Sequence, residues 1–338
     1  MAQATTVQLP ADYGDTAAEY AVLREGAGLA DRSYLGRVRI SGPDALDLLN
    51  RLTTNKLETL LPGEGAPTVL TSPKGRVIDL LLVGARPDHF LLLTSPGRQE
   101  AAMEWIDFYT FVDDAPLQDV TPLTRQFTVV GPGAAAALSA AGALAVPLPL
   151  YHLRDATIGG ARAVVWRTMD PGPESYEVIV VGEEAAVAWR ALVEAGAIPV
   201  GSTAWEAFRI AQGTPAYGAE YGEETNPLES RLRGAISFDK GCYTGQEVVA
   251  RLDTYQKVQR RLMAVALSGP AERGDVLVDG DKTTGVLTSV AAVPTDGSYV
   301  ALALVSVVQA VAGRALAVGG SAVTATLTDP TYALATET

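Results

Sequence analysis

The stretch "SFDKGCYTGQEVVAR", from Ser237 to Arg251, holds the single cysteine of the 338-residue chain, Cys242, between Gly241 and Gly245. In "GQEVVARL" the apolar Val248, Val249 and Leu252 share one helical face, and "AISF" just upstream reads as a strand. Cys242 is therefore expected in a loop at, or just before, a helix N-terminus. Exposed amides and the helix dipole there, with Lys240 two residues away, favour the thiolate. Most single cysteines are small buried hydrophobes, but two glycines and four polar neighbours weigh against packing here.

Working outward, the segment from Glu229 to Arg261 carries seven basic residues (Arg231, Arg233, Lys240, Arg251, Lys257, Arg260, Arg261) and four acidic ones (Glu229, Asp239, Glu247, Asp253). The chain as a whole has a net charge of -13, so a long polyanion or an anionic membrane would be repelled. A small anionic ligand suits the local cationic excess better. No direct nucleic-acid or membrane partner is expected. "MAQATTVQLPADYGDTAAEY" has no basic start and no apolar run, and "YVALALVSVVQAVAG" is too short to span a bilayer. A cytoplasmic protein without a disulfide framework is the expectation.

One pattern recurs along the chain: an alternating strand, a small polar break, then an alanine-rich helix. It appears as "VRISGPDALDLLNRL" (38–52), "FLLLTSPGRQEAAMEWI" (90–106), "FTVVGPGAAAALSAAG" (127–142) and "EVIVVGEEAAVAWRALVEAG" (177–196). Hairpins interrupt it at Ser72–Gly75 in "TVLTSPKGRVIDLLLV" and at Gly159–Gly160 in "ATIGGARAVVW". Hairpins mixed with strand–helix units favour an α+β fold with antiparallel sheets. After Arg261, short strands separated by "SGPAERGD", "DGDKTTG", "PTDG" and "AVGG" predict a separate C-terminal β-barrel.

The chemistry at the thiol is bounded by what is missing around it. A Cys–His nucleophile needs a base, and the two histidines, His89 and His152, are remote in sequence and stand in no motif. A closed metal site needs about four ligands, more than one thiol and two scattered histidines supply; no metal site is expected.

"KGCYTGQEVVAR" (240–251) resembles the signature of the YgfZ family, folate-binding relatives of the glycine cleavage T-protein. "WEAFRIAQGTPAYGAEYGEETNPLES" (205–230) and "PKGRVIDLLLV" (73–83) resemble segments shared by both groups, and "VQRRL" leads into what would be the family's barrel. The resemblance implies three domains in a ring around a folate pocket. Residues 1–54 with 200–261 would form the central folate-binding domain, 55–199 an α+β domain and 262–338 the barrel. It implies tetrahydrofolate or a derivative as cofactor, iron-sulfur proteins as clients and indirect support of tRNA modification. Cys242 would be the working thiol with Lys240 beside it. Trp205, Arg209, Tyr243, Gln246, Glu247 and Arg251 would be the folate contacts.

Two positions depart from the family pattern. T-proteins carry two adjacent aspartates in the hairpin, the second catalytic; here Asp79 keeps the first place and Leu80 takes the second. Leucine exchanges no proton, which argues against aminomethyl transfer. In "RIAQG", Ala211 replaces a pterin-binding glutamate, with Gln212 beside it. A folate-dependent one-carbon transferase and a non-catalytic client scaffold stay open as alternatives.

Overall fold

The computed structural model describes residues 9–143, 147–295, 297–332 and 334. The ends of the first and last expected domains, 1–8 and 335–338, lie outside the described residues. Helix α1 (Thr16–Glu25) starts where the Asp15 carboxylate accepts from the amides of Ala17 and Ala18. Then follow β1 (Gly28–Asp31), β2 (Leu35–Ile40), α2 (Ala45–Leu52) and the hairpin β3 (Gly65–Thr71) and β4 (Val77–Ala85). Next come β5 (Phe90–Pro96), α3 (Gln99–Phe108), β6 (Leu117–Asp119), β7 (Thr124–Val130) and α4 (Ala134–Ala140). The hairpin β8 (Leu153–Ile158) and β9 (Ala161–Thr168) leads to β10 (Ser175–Val181), α5 (Ala185–Glu194), β11 (Ile198–Pro199), α6 (Ser202–Gln212) and α7 (Gln246–Thr254). All four strand–helix units and both hairpins stand where the change of period predicts them.

The strands form two open sheets and a barrel. One sheet has the order β3-β4-β5-β2-β6 and the other β11-β1-β7-β10-β9-β8. Pairing is antiparallel except between β1 and β11. Their faces meet on Trp166, fully buried among Leu91, Leu93, Leu153 and Ile179. Gly65 and Gly84 make room for it: a Cβ at either would sit within 2.9 Å of the indole. Strands β12 (Arg260–Leu267), β13 (Val276–Asp279), β14 (Lys282–Val290), β15 (Tyr299–Ser306), β16 (Ala315–Val318) and β17 (Thr324–Thr328) close the predicted barrel. Helix α6 joins it to the rest, with Trp205, Phe208 and Ile210 packed among Leu23, Leu262, Leu302 and Leu304. Among the described residues no helix is long and apolar enough to cross a membrane.

One expectation is redrawn. "AISF" is not a strand: a 3-10 turn at Arg233–Ala235 runs into an irregular segment. Its backbone is met one bond at a time, the Ser237 amide by the Thr54 carbonyl at 3.0 Å and the Ala235 carbonyl by the Thr54 hydroxyl at 2.6 Å. Strand pairing sets where one sheet gives way to the other. The break falls between β1 and β2, so 35–119 supplies one sheet while 28–31 joins 124–199 in the other.

Arg37 spans that break. Fully buried on β2, its guanidinium donates to the carbonyls of Leu35 (2.7 Å), Thr121 (2.9 Å) and Ser33 (3.2 Å) and to the Thr124 hydroxyl (2.8 Å). Burial pushes its pKa down to about 10. Arg37→Met should cost about 3 kcal/mol or more, because those carbonyls lose their donor inside the protein. A urea melt measures this; a midpoint within error of wild type would show the sheets joined without it.

Candidate functional site

The two sheets, α6 and the 214–221 segment converge on a cavity of about 200 Å³. One wall is apolar, built from Leu80, Leu82 and Leu93. The alternation of β4 turns Leu80 to the cavity and buries Asp79 completely, beside the Ser95 amide at 3.0 Å. No acid thus stands at the Leu80 position itself.

The opposite wall is polar and incompletely paired. Glu177 is buried on β10; its Oε2 accepts from Gln126 and Thr128, both at 2.8 Å, while Oε1 faces Arg32 Nη1 only at 3.7 Å. Burial raises the Glu177 pKa. Arg32 pairs with Asp170 at 2.9 Å and lies over the Trp205 ring at 4.9 Å, yet its Nε, like the Thr168 hydroxyl, is buried without a partner. Glu177, Arg32, Thr168, Asp170 and Trp205 all line the cavity. Buried polar atoms are almost always paired in folded proteins, so unpaired ones gathered on a cavity wall mark a place for a polar ligand.

Of the expected folate contacts, Trp205 and Arg209 reach this cavity. The Arg209 guanidinium is already engaged: Glu206 at 2.7 Å, the Thr214 carbonyl at 2.6 Å, Glu220 at 3.2 Å and the Ser289 hydroxyl at 2.9 Å. It ties α6 to the barrel. Tyr243, Gln246, Glu247 and Arg251 do not line the cavity. Glu247 and Arg251 sit on the exposed side of α7, and Tyr243 is buried beneath the Lys240 ammonium, 5.4 Å from its ring.

The motif loop is anchored at both flanks and free at its tip. Lys240 Nζ donates to the carbonyls of Asn50 (2.6 Å), Thr53 (2.8 Å) and Asn55 (2.7 Å), closing the C-terminal end of α2. Burial pushes its pKa down to about 8. Thr71 donates to the Thr244 carbonyl at 2.6 Å. Gly245 has φ +85° and lies so near the hairpin that a Cβ would meet the Ser72 carbonyl oxygen at 2.5 Å. Between these anchors Gly241 and Cys242 are exposed. The helix begins four residues after the thiol, at Gln246. The surrounding cations are mostly paired: Arg233 with Asp253, Arg231 with Asp329, Arg260 with Glu229.

Residues 1–240 match the family described as the GCVT N-terminal domain, and 259–331 match the CAF17 C-terminal β-barrel domain. The chain belongs to the GCVT family. It is 31% identical over 303 residues to an aminomethyltransferase of Rubrobacter xylanophilus, covering 88% of this chain and 81% of that one. A chloroplastic protein of Arabidopsis thaliana bearing a transferase name is 35% identical over 267 residues; the match spans 78% of this chain but only 62% of that protein. The crystal structure of the glycine cleavage system aminomethyltransferase T from Bartonella henselae superposes with a TM-score of 0.86 at 21% identity, over 96% of this chain and 92% of that one. That likeness establishes the T-protein fold.

Within this GCVT-family chain the site residues that sequence reasoning missed are Glu177 and Arg32. Glu177 had a legible signal: a lone carboxylate inside "SYEVIVV", a strand otherwise without charge. Arg32, in "ADRSYLGRV", had none. For the motif loop, Lys240→Met should leave three carbonyls without a donor at a cost of about 1–3 kcal/mol. Amide hydrogen exchange at Ser237 and Thr244 should rise with it. Unchanged exchange would show the loop held without the lysine.

Proposed function

We propose that the chain is a reduced-folate-binding protein of the YgfZ and CAF17 type, acting in maturation or repair of iron-sulfur proteins with Cys242 as its working thiol. Through those clients it would support tRNA modification indirectly. The observation that carries the folate part is the polar cavity wall. A pterin offers adjacent N–H donors on its amino-pyrimidinone edge, which Glu177 Oε1, held only by Arg32 at 3.7 Å, can accept, and carbonyl and ring acceptors for Arg32 and Thr168. The Trp205 edge and the apolar wall of Leu80, Leu82 and Leu93 suit its flat ring.

Two features support an accessory role over one-carbon transfer. Leu80 supplies no acid or base at the cavity, and Cys242 is displayed at an anchored loop tip, where a client protein can reach it. The names of the relatives favour the alternative of a folate-dependent aminomethyltransferase, and a client scaffold with an incidental thiol is the third reading. The cytoplasm is the proposed compartment, although one relative is chloroplastic by name.

Tetrahydrofolate titrated against intrinsic fluorescence should show saturable binding. Glu177→Gln should weaken it about tenfold or more, since a charge-assisted hydrogen bond is lost. Trp205→Ala should weaken it too. Absence of binding by the unmodified protein would remove the folate reading.

Cys242→Ser should keep folate affinity while failing to sustain iron-sulfur enzyme activity in cells that depend on this protein. Full support by the serine variant would favour the scaffold. Turnover of an aminomethyl donor by the purified wild type would instead establish the transferase.

A further inference from the structure

Helix α3 buries Ala102 and Ile106 and turns Glu104, Asp107 and Phe108 outward. Just past its end the chain also exposes Phe111 and Val112; Phe108, Phe111 and Val112 are 67%, 81% and 95% exposed. The backbone beneath them is fixed. The Asp114 amide donates to Asp44 Oδ2 at 2.7 Å and the Asp44 amide to the Asp114 carbonyl at 3.3 Å. Gly42 permits that approach, since a Cβ there would lie 2.1 Å from the Asp114 carbonyl oxygen. On the helix side, Phe108 stacks on Trp105 with ring centroids 6.4 Å apart and meets Tyr109 edge-on at 5.1 Å. Large apolar side chains grouped in water and rimmed by polar ones mark interaction surfaces.

The rim of this surface is acidic. Among the described residues no cation pairs with Glu104, Asp107 or Asp114. Asp107 stands in the last turn of α3, where the helix dipole already presents its negative end and no basic residue offsets it. Charge placed there works against the helix and in favour of a cationic partner. A second copy of the chain would set acid against acid, and an anionic membrane would be repelled by the same carboxylates. We infer that 104–114 is a docking surface for a client-protein segment that presents apolar side chains among lysines or arginines, and that it delivers this segment to Cys242. Phe108, Phe111 and Val112 are the anchors, and the carboxylates select the partner's charge.

Arg51 connects the surface to the thiol loop. Its Nη2 donates to Asp113 at 2.5 Å, next to Val112, and its Nε to Asp47 at 2.7 Å. Its carbonyl accepts from the Thr244 amide at 3.2 Å, two residues beyond Cys242. Lys240 holds the other flank of the thiol at the same end of α2, through the carbonyls of Asn50, Thr53 and Asn55. One residue thus spans from the apolar tip to the loop that displays the exposed thiol. The delivery rests on reading Cys242 as the working thiol; the docking surface itself does not.

The probe for docking is a leucine–lysine amphipathic peptide of about 18 residues, long enough to form a helix, with a leucine–glutamate twin as control. Fluorescence anisotropy with the full chain should show saturable binding of the lysine peptide that weakens with salt, and no binding of the twin. Phe111→Ser with Val112→Ser keeps every charge and the Trp105 ring stack. It should weaken binding about tenfold or more, as removal of anchor side chains does. Glu104→Gln, Asp107→Asn and Asp114→Asn together should also weaken it. Thermal melts followed by circular dichroism check that both variants fold; if the acidic triple variant does not, the serine variant decides. No binding by the wild type, equal binding by the serine variant, or binding of the glutamate twin overturns the docking surface.

Delivery is tested with the lysine peptide carrying one cysteine, at either end in turn, as its mixed disulfide with thionitrobenzoate. The Cys242 thiolate attacks the peptide sulfur, a disulfide joins the two, and thionitrobenzoate leaves with the bonding electron pair. At subsaturating peptide its release should be about tenfold or more faster with the wild type than with the serine variant, because docking raises the effective concentration of the peptide sulfur. Both proteins should react alike with the mixed disulfide of glutathione and thionitrobenzoate, and Cys242→Ser should release nothing. Equal rates with the peptide at both ends overturn the delivery. If iron-sulfur enzymes in cells are indifferent to Cys242→Ser, the reading of the thiol fails while the anisotropy result still decides the docking surface.

Discussion

Arg37 is the constraint on which the arrangement rests. Two sheets with apolar inner faces would slide against each other if only Trp166 and its apolar neighbours held them, because burial has no direction. A buried guanidinium has one. Its fork fixes Leu35 and Ser33 on one side and Thr121 and Thr124 on the other. Leu35 and Gln126, which touch the same guanidinium, also line the cavity, so the geometry of the site is set by the joint between the sheets.

Buried charge serves two ends here, told apart by whether hydrogen bonding is complete. Arg209, Glu220 and Ser289 satisfy one another across α6 and the barrel, which is what a structural latch requires. Glu177 and Arg32 are buried too, yet they meet only at 3.7 Å and the Arg32 Nε has no partner. Removing water from a carboxylate without replacing its partners is unfavourable by a few kcal/mol.

What the sequence made legible was local. The change from period two to period near 3.6 lies within a few residues, so "FTVVGPGAAAALSAAG" revealed β7 and α4 without knowledge of their neighbours. The barrel was legible from its turn spacing. "AISF" had strand character with no strand beside it, and its backbone went to Thr54 instead. Tyr243, Gln246, Glu247 and Arg251 lie off the cavity for a related reason: adjacency to Cys242 in sequence carries no information about a cavity whose strands lie more than sixty residues upstream. Trp205 lines the cavity, but the Arg32 lying over its ring is brought there by tertiary packing, which no local pattern encodes.

The cavity and the thiol share one hairpin. Strand β4 presents Leu80 to the cavity, and the turn before it, with Thr71, Ser72 and Gly75, receives Thr244, Gly245 and Val248 of the motif loop. Five residues of extended chain separate Gly75 from Leu80, roughly 17 Å at about 3.3 Å per residue. The space between them is packed with Val69, Val77, Tyr221, Leu232, Ala235 and Tyr332. Tyr221 belongs both to this cluster and to the cavity wall. A ligand that shifts Tyr221 or the end of β4 therefore presses on the same packed layer that supports the Cys242 loop. Close-packed interiors transmit such displacement and do not absorb it, so the fold supplies a physical route from an occupied cavity to the displayed thiol.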